Sequence, residues 1–129
     1  GAGAAGGAGA ALLALGAVRQ PGASVVAAAA GLAGAVATAD LVLTGEGAFD
    51  WDSLRGRVVG AVCDSAARLG VPVVVVAGQV LVGRRELAAV GVEAAYPVAA
   101  TARDLPGVLA DPAGTLAART ERVARTWHR

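Results

Sequence analysis

Short, continuous apolar runs alternate along this chain with longer stretches whose apolar positions recur every three or four residues. The short runs predict strands at 40–44, 72–77 and 94–98. The longer stretches predict helices at about 53–69, 84–90 and 113–127. Before Ala39 the texture differs, being mostly alanine and glycine. There the pattern predicts one helix from about Ala8 to Val18, ended by Gln20-Pro21-Gly22, and a second from about Ala23 to Leu32 with Ser24 near its start. Each strand is a Val/Leu/Ala run without polar alternation, as expected when helices cover both sheet faces. Strand–helix–strand units with right-handed crossovers give a parallel sheet. Residues 38–129 therefore read as an α/β unit, part of a Rossmann-like doubly wound parallel sheet, and residues 1–34 as a separate Ala/Gly-rich segment.

The richest stretch is Asp40-Leu-Val-Leu-Thr-Gly-Glu-Gly-Ala-Phe-Asp50, continuing to Ser53-Leu-Arg-Gly-Arg57. An apolar strand empties into Gly45-Glu46-Gly47, which puts a carboxylate at a strand's carboxyl end, where open α/β sheets bind ligands. Magnesium is satisfied by one or two carboxylates with several retained waters. Glu46 and Asp50, on one loop, suit either the metal or the substrate hydroxyl. Asp50 equally suits capping of the next helix, as do Asp52 and Ser53. Gly1-Ala-Gly-Ala-Ala-Gly6 matches the dinucleotide fingerprint by letter, but no strand precedes it and the first acid is Asp40, which argues against nicotinamide. It reads either as an anion cradle at a helix start or as small residues needed for close packing.

Thr44-Gly-Glu-Gly47, Asp50, Ser53 and Gly56-Arg57 resemble the Thr-Gly-Glu-Gly-x-x-Asp-x-Gln-Ser-x-x-Gly-Lys signature of the bacterial glycerate kinase family. Gly1-Ala-Gly-Ala-Ala-Gly-Gly7 is similar to a second element of that family, in the right order and at about the right separation. The resemblance runs from Gly1 to about Tyr96 and thins towards Arg129. It implies the carboxyl-terminal portion of a glycerate 2-kinase, with residues 1–34 the tail of an inserted second α/β domain and residues 38–129 the end of the Rossmann-like domain. It implies transfer of the ATP γ-phosphoryl group to D-glycerate, giving 2-phosphoglycerate and ADP, with Mg²⁺ as cofactor. Glu46 and Asp50 would be the catalytic and metal residues. Gly3, Gly6, Gly7, Gly45, Gly47, Ser53 and Arg57 would bind substrate or phosphate. Two positions depart: Arg57 stands for the family lysine and Asp52 for its glutamine. Arginine still binds phosphate, but its planar fork is no copy of an ammonium.

Composition narrows the reading further. At 129 residues the chain can bury one core, but its 19 glycines, abundant alanine and few aromatics (Phe49, Trp51, Tyr96, Trp127) predict modest stability. A formal charge of +1 without a basic stripe argues against nucleic acid. The lone Cys63, on an apolar helix face with Val59, Val62 and Ala66, reads as a buried inert thiol and fits a reducing cytoplasm. No stretch reaches eighteen apolar residues without a glycine break and the Ala/Gly-rich opening lacks a basic n-region, so no membrane partner is expected; homo-oligomerisation stays open. The chain lacks methionine and starts inside a motif, so we expect a portion of a longer enzyme that is inactive alone. Gln79 and Arg84 follow the second strand on the Glu46 edge, within reach of a nucleotide or acidic substrate. Arg119, Arg122, Arg125 and Arg129 form a solvated basic face, and the terminal His128 has no expected role. Two rivals remain: an inactive α/β module that binds an anion or nucleotide, and a nicotinamide-dependent oxidoreductase.

Overall fold

The computed structural model describes residues 1–54 and 57–128. Gly56 of the signature, Arg55 beside Asp52 and Arg129 of the basic face lie outside the described residues. A parallel sheet of three strands forms the centre. Strand β1 (Val42–Thr44) pairs with β3 (Val73–Ala77), and β3 pairs with β5 (Val92–Pro97). Register runs Val42↔Val73 to Thr44↔Val75 on one side and Val74↔Ala94 to Ala77↔Pro97 on the other. Two short strands, β2 (Ala48–Phe49) and β4 (Gln79–Val80), pair in parallel just beyond the carboxyl ends of β1 and β3.

Every residue of β3 is buried, the consequence of an apolar strand covered on both faces. Its alternation sorts the core in two. Val73, Val75 and Ala77 pack with Phe49, Val36 and the face Val59, Val62, Cys63 and Ala66 of helix α4 (Val58–Ala67). Val74 and Val76 pack with Val123 of helix α7 (Pro112–Trp127) on the opposite side. A fully buried valine contributes roughly 1.5–3 kcal/mol, so this one strand anchors both layers.

The α/β reading with a parallel sheet holds, and several boundaries move. Helix α1 (Ala8–Ala14) stops short of Val18. The helix expected at 23–32 is two, α2 (Gly22–Ala29) and α3 (Leu32–Ala37), parted by Gly31 at φ +68°, a left-handed residue that closes one helix and opens the next. Both pack on α4, and Val36 joins the main core. The helix expected from Ser53 begins at Val58 instead. Residues 51–54 form a turn, in which the Asp50 carboxylate accepts from the Asp52 and Ser53 N–H groups. Helix α5 (Arg84–Ala89) falls where expected. Helix α6 (Leu105–Ala110) was not expected from the sequence.

Candidate active site

The chain breaks twice at the carboxyl edge of the sheet, after β1 and after β3, and the two breaks interlock. The Gly78 N–H donates to the Glu46 carbonyl at 3.1 Å, and the Gln79 N–H donates to the Gly47 carbonyl at 3.0 Å. A Cβ at position 45 would collide with the Val76 carbonyl, and one at position 78 with the Gly47 carbonyl. Glycine is needed at both places because backbone meets backbone there. This contact holds the Glu46 loop against the central strand.

Glu46 stands where two clefts meet. One, of about 640 Å³, lies on the α7 face and is walled by Leu43, Val76, Val98 and the apolar side of α6, with Thr44 and Thr120 among its polar groups. The other, of about 660 Å³, lies on the α4 face between α2 and α4 and includes Arg57. Gly45 and Glu46 line both, and Gly47 lines the first. The Glu46 Oε1 atom is buried and has no hydrogen-bond partner among the described residues. Leaving a buried polar group unpaired costs about 1–3 kcal/mol, more for a charge. Such an oxygen is a natural ligand for a hard cation or acceptor for a substrate hydroxyl.

Asp50 is used differently. Its Oδ1 accepts from the Asp52 N–H at 2.9 Å, the Ser53 N–H at 3.1 Å and the Ser53 hydroxyl at 3.1 Å. The Ser53 N–H, helped by its hydroxyl, the Asp52 N–H and the charge of Arg57, holds the Asp50 carboxyl below its ordinary value against a smaller opposing effect of desolvation. Ser53 is fully buried, and its Oγ accepts from the Asp50 N–H at 3.1 Å. The pair thus braces the loop behind Glu46, and neither residue lines either cleft.

Arg57 opens α4 at its N-cap position without a side-chain cap. Its guanidinium lies 3.5 Å from Asp52, with the two side chains 57% and 67% exposed. Gly3, Gly6 and Gly7 are exposed, sit against α1 and line neither cleft. Gln79 lies in β4, and Arg84 lines a groove beside β5 instead of the Glu46 clefts. Burial, reinforced by the charge of Asp64, pushes the Cys63 thiol up to about 11, which keeps it protonated and inert. On the basic face Arg125 pairs with Glu121 at 2.6 Å, and Arg119 stacks on Tyr96 with 5.5 Å to the ring centroid. Among the described residues no three His, Cys, Asp or Glu side chains converge, so a metal here would rest on one or two carboxylates plus waters and ligand oxygens. An orphaned carboxylate oxygen beside open clefts fits magnesium on those terms. No helix among the described residues is long and apolar enough to cross a membrane.

Sequence reasoning missed the α6 wall. Its signal was present: Leu105, Val108 and Leu109 recur at helical spacing, and Pro106 suits a first turn.

Known proteins are similar to this chain along nearly all of its length. A Mycobacterium bovis protein of uncharacterised function is 45% identical over 124 residues, covering 96% of this chain and 32% of that protein. A protein of Halalkalibacterium halodurans named glycerate kinase is 35% identical over 132 residues, covering all of this chain and 35% of its own length. A crystal structure from Salmonella typhimurium LT2, described provisionally as glycerate kinase 2, superposes with a TM-score of 0.70 at 36% identity. It takes in 98% of this chain and 32% of that one. The chain therefore spans about a third of the length of the relatives it matches. The profile of the glycerate kinase family matches residues 1–128, and the chain belongs to that family.

Proposed function

We propose that the complete protein is an ATP-dependent glycerate kinase that phosphorylates D-glycerate at the 2-hydroxyl, giving 2-phosphoglycerate and ADP, in the cytoplasm. The observation that carries this reading is the buried, unpaired Glu46 oxygen at the carboxyl edge of a parallel sheet, at the junction of two clefts. Glu46 either holds Mg²⁺ or accepts the hydrogen bond of the substrate hydroxyl and orients it for attack. Bound magnesium would neutralise charge on the transferring phosphoryl group. Arg57, in the α2–α4 cleft, is the cationic partner for phosphate or for the glycerate carboxylate. Gly45 lets the loop lie against β3, which fixes Glu46 in place. Asp50 and Ser53 hold the loop's far end, with Asp50 the second candidate to meet metal or substrate. Gly3, Gly6 and Gly7 stand apart and carry no weight in this reading.

The test is Glu46→Gln in the complete protein, followed by ADP release with glycerate and by phosphorus NMR of the product. Turnover is expected to fall by about a hundredfold or more, the scale of losing a positioned acid–base or charge-stabilising group. Thermal stability is expected to hold or rise, since the variant removes an unpaired buried charge. Turnover within a fewfold of wild type removes Glu46 from the chemistry.

A further inference from the structure

The Oε1 atom of Glu46 is buried with no hydrogen-bond partner among the described residues, so the place of this carboxylate follows from the backbone that carries it. That backbone is gripped at three successive residues. Gly45 lies flat on the Val76 carbonyl, the Glu46 carbonyl accepts from the Gly78 N–H at 3.1 Å, and the Gly47 carbonyl accepts from the Gln79 N–H at 3.0 Å. The contact continues through the β2–β4 pair to the Leu81 N–H, which donates to the Phe49 carbonyl at 2.8 Å.

Gly78 is the centre of this mesh. While its N–H holds Glu46, its own carbonyl accepts from the N–H of the buried Ala99 at 2.9 Å, just past β5. One residue thus ties together the chain breaks after β1, β3 and β5. Its φ is not positive, so torsion alone would admit a side chain. Space does not: a Cβ would meet the Gly47 carbonyl, a backbone group that cannot swing aside as a flexible side chain can.

We propose that Gly78 is a positioning residue for the Glu46 carboxylate, setting how far it stands from the reacting groups. This rests on the kinase reading above and deepens it. Alanine at 78 would push the Glu46–Gly47 segment off β3 by up to about 1 Å, the scale of misplacement that costs a positioned group about a hundredfold in rate.

Gly78→Ala is tested in the complete protein, alone and combined with Glu46→Gln, by steady-state kinetics with ATP and glycerate. Alone it is expected to lower kcat by about ten- to a hundredfold, with both KM values within about threefold of wild type. In the Glu46→Gln background it is expected to cost less than about twofold, because the group it positions is already gone. An equal loss in both backgrounds, or a loss carried by KM, means that Gly78 serves a ligand or the fold at large; it overturns the proposal and leaves Glu46 in its role. A kcat within about twofold of wild type overturns it as well. If Gly78→Ala does not fold by circular dichroism, amide hydrogen exchange of the wild-type protein decides. The Gly78 and Gln79 N–H groups are then expected to exchange as slowly as those of β3, and rapid exchange overturns the proposal. Wild-type turnover in Glu46→Gln alone defeats the kinase role of Glu46 and takes this proposal with it.

Discussion

Arg57 poses the sharpest question at the scale of a single residue, because the structure offers it two partners. Its exposed contact with Asp52 at 3.5 Å is of a kind that contributes about 0–1 kcal/mol. Its place on the wall of a Glu46 cleft suits it to an incoming anion, where a charge-assisted hydrogen bond contributes roughly 1.5–3 kcal/mol. The weak pair cannot hold the guanidinium against the stronger ligand. Arg57→Ala in the complete protein is therefore expected to lower kcat/KM by about ten- to a hundredfold with little change in melting temperature. Arg57→Lys should recover part of the loss, because lysine keeps the charge and loses the fork. Asp52→Asn should leave kcat/KM at or above wild type. Alanine indistinguishable from wild type would reduce Arg57 to a surface charge paired with Asp52.

At the scale of elements, the turn at residues 51–54 decides how firmly the Glu46 loop is held. Ser53 is fully buried, and its hydroxyl serves Asp50 on both sides, accepting from its N–H and donating towards its carboxylate. Ser53→Ala leaves the part-buried Asp50 N–H without that acceptor and should cost about 1 kcal/mol, read by urea denaturation. The same turn carries a pH signature. The Asp50 carboxyl is held below its ordinary value of 3.8, so its stabilising contribution is complete above that pH and is lost as pH falls through the lower, folded value. Asp50→Asn should flatten this part of the acid limb, and identical acid unfolding of variant and wild type would show the turn to be slack. This turn is also where the sequence misled. Ser53 has the side chain of a helix cap, but its hydroxyl is spent inside the turn, on the Asp50 N–H and carboxylate. The strands were legible because β3 is apolar on every residue, and so was α4, whose buried positions 59, 62, 63 and 66 follow helical spacing. The place of Glu46 was legible from a strand running into Gly-Glu-Gly. The interlock with Gly78 was not, since it joins residues far apart in the chain and is made of backbone. The apolar wall of α6 escaped because six residues give too short a period to stand out beside the proline and glycine they contain.

At the scale of the molecule, the decisive fact is how much of a cleft this chain can build alone. Its main sheet has three strands, and among the described residues the outer edges of β1 and β5 have no strand partner. Large apolar side chains stand exposed outside the two layers, with Leu15 and Val18 each at 84% and Val26 lining the Arg57 cleft. Unpaired edges and exposed apolar side chains invite association with other polypeptide. Matched relatives are about three times as long. Phosphoryl transfer gains most of its rate from holding donor and acceptor in line within a closed, water-poor site, an advantage that collapses with misplacement of about 1 Å. Residues 1–129 expressed alone are therefore expected to show no glycerate-dependent ADP release above background. They should also self-associate in analytical ultracentrifugation at concentrations where the complete protein gives one defined species. The pairing of the two measurements matters, because inactivity with a well-behaved monomer would point to absent catalytic groups and not to an unfinished cleft. Robust ADP release from the 129-residue chain would mean that Glu46, Arg57 and the two clefts suffice for the chemistry, and would overturn the claim that positioning needs more polypeptide than this chain contains.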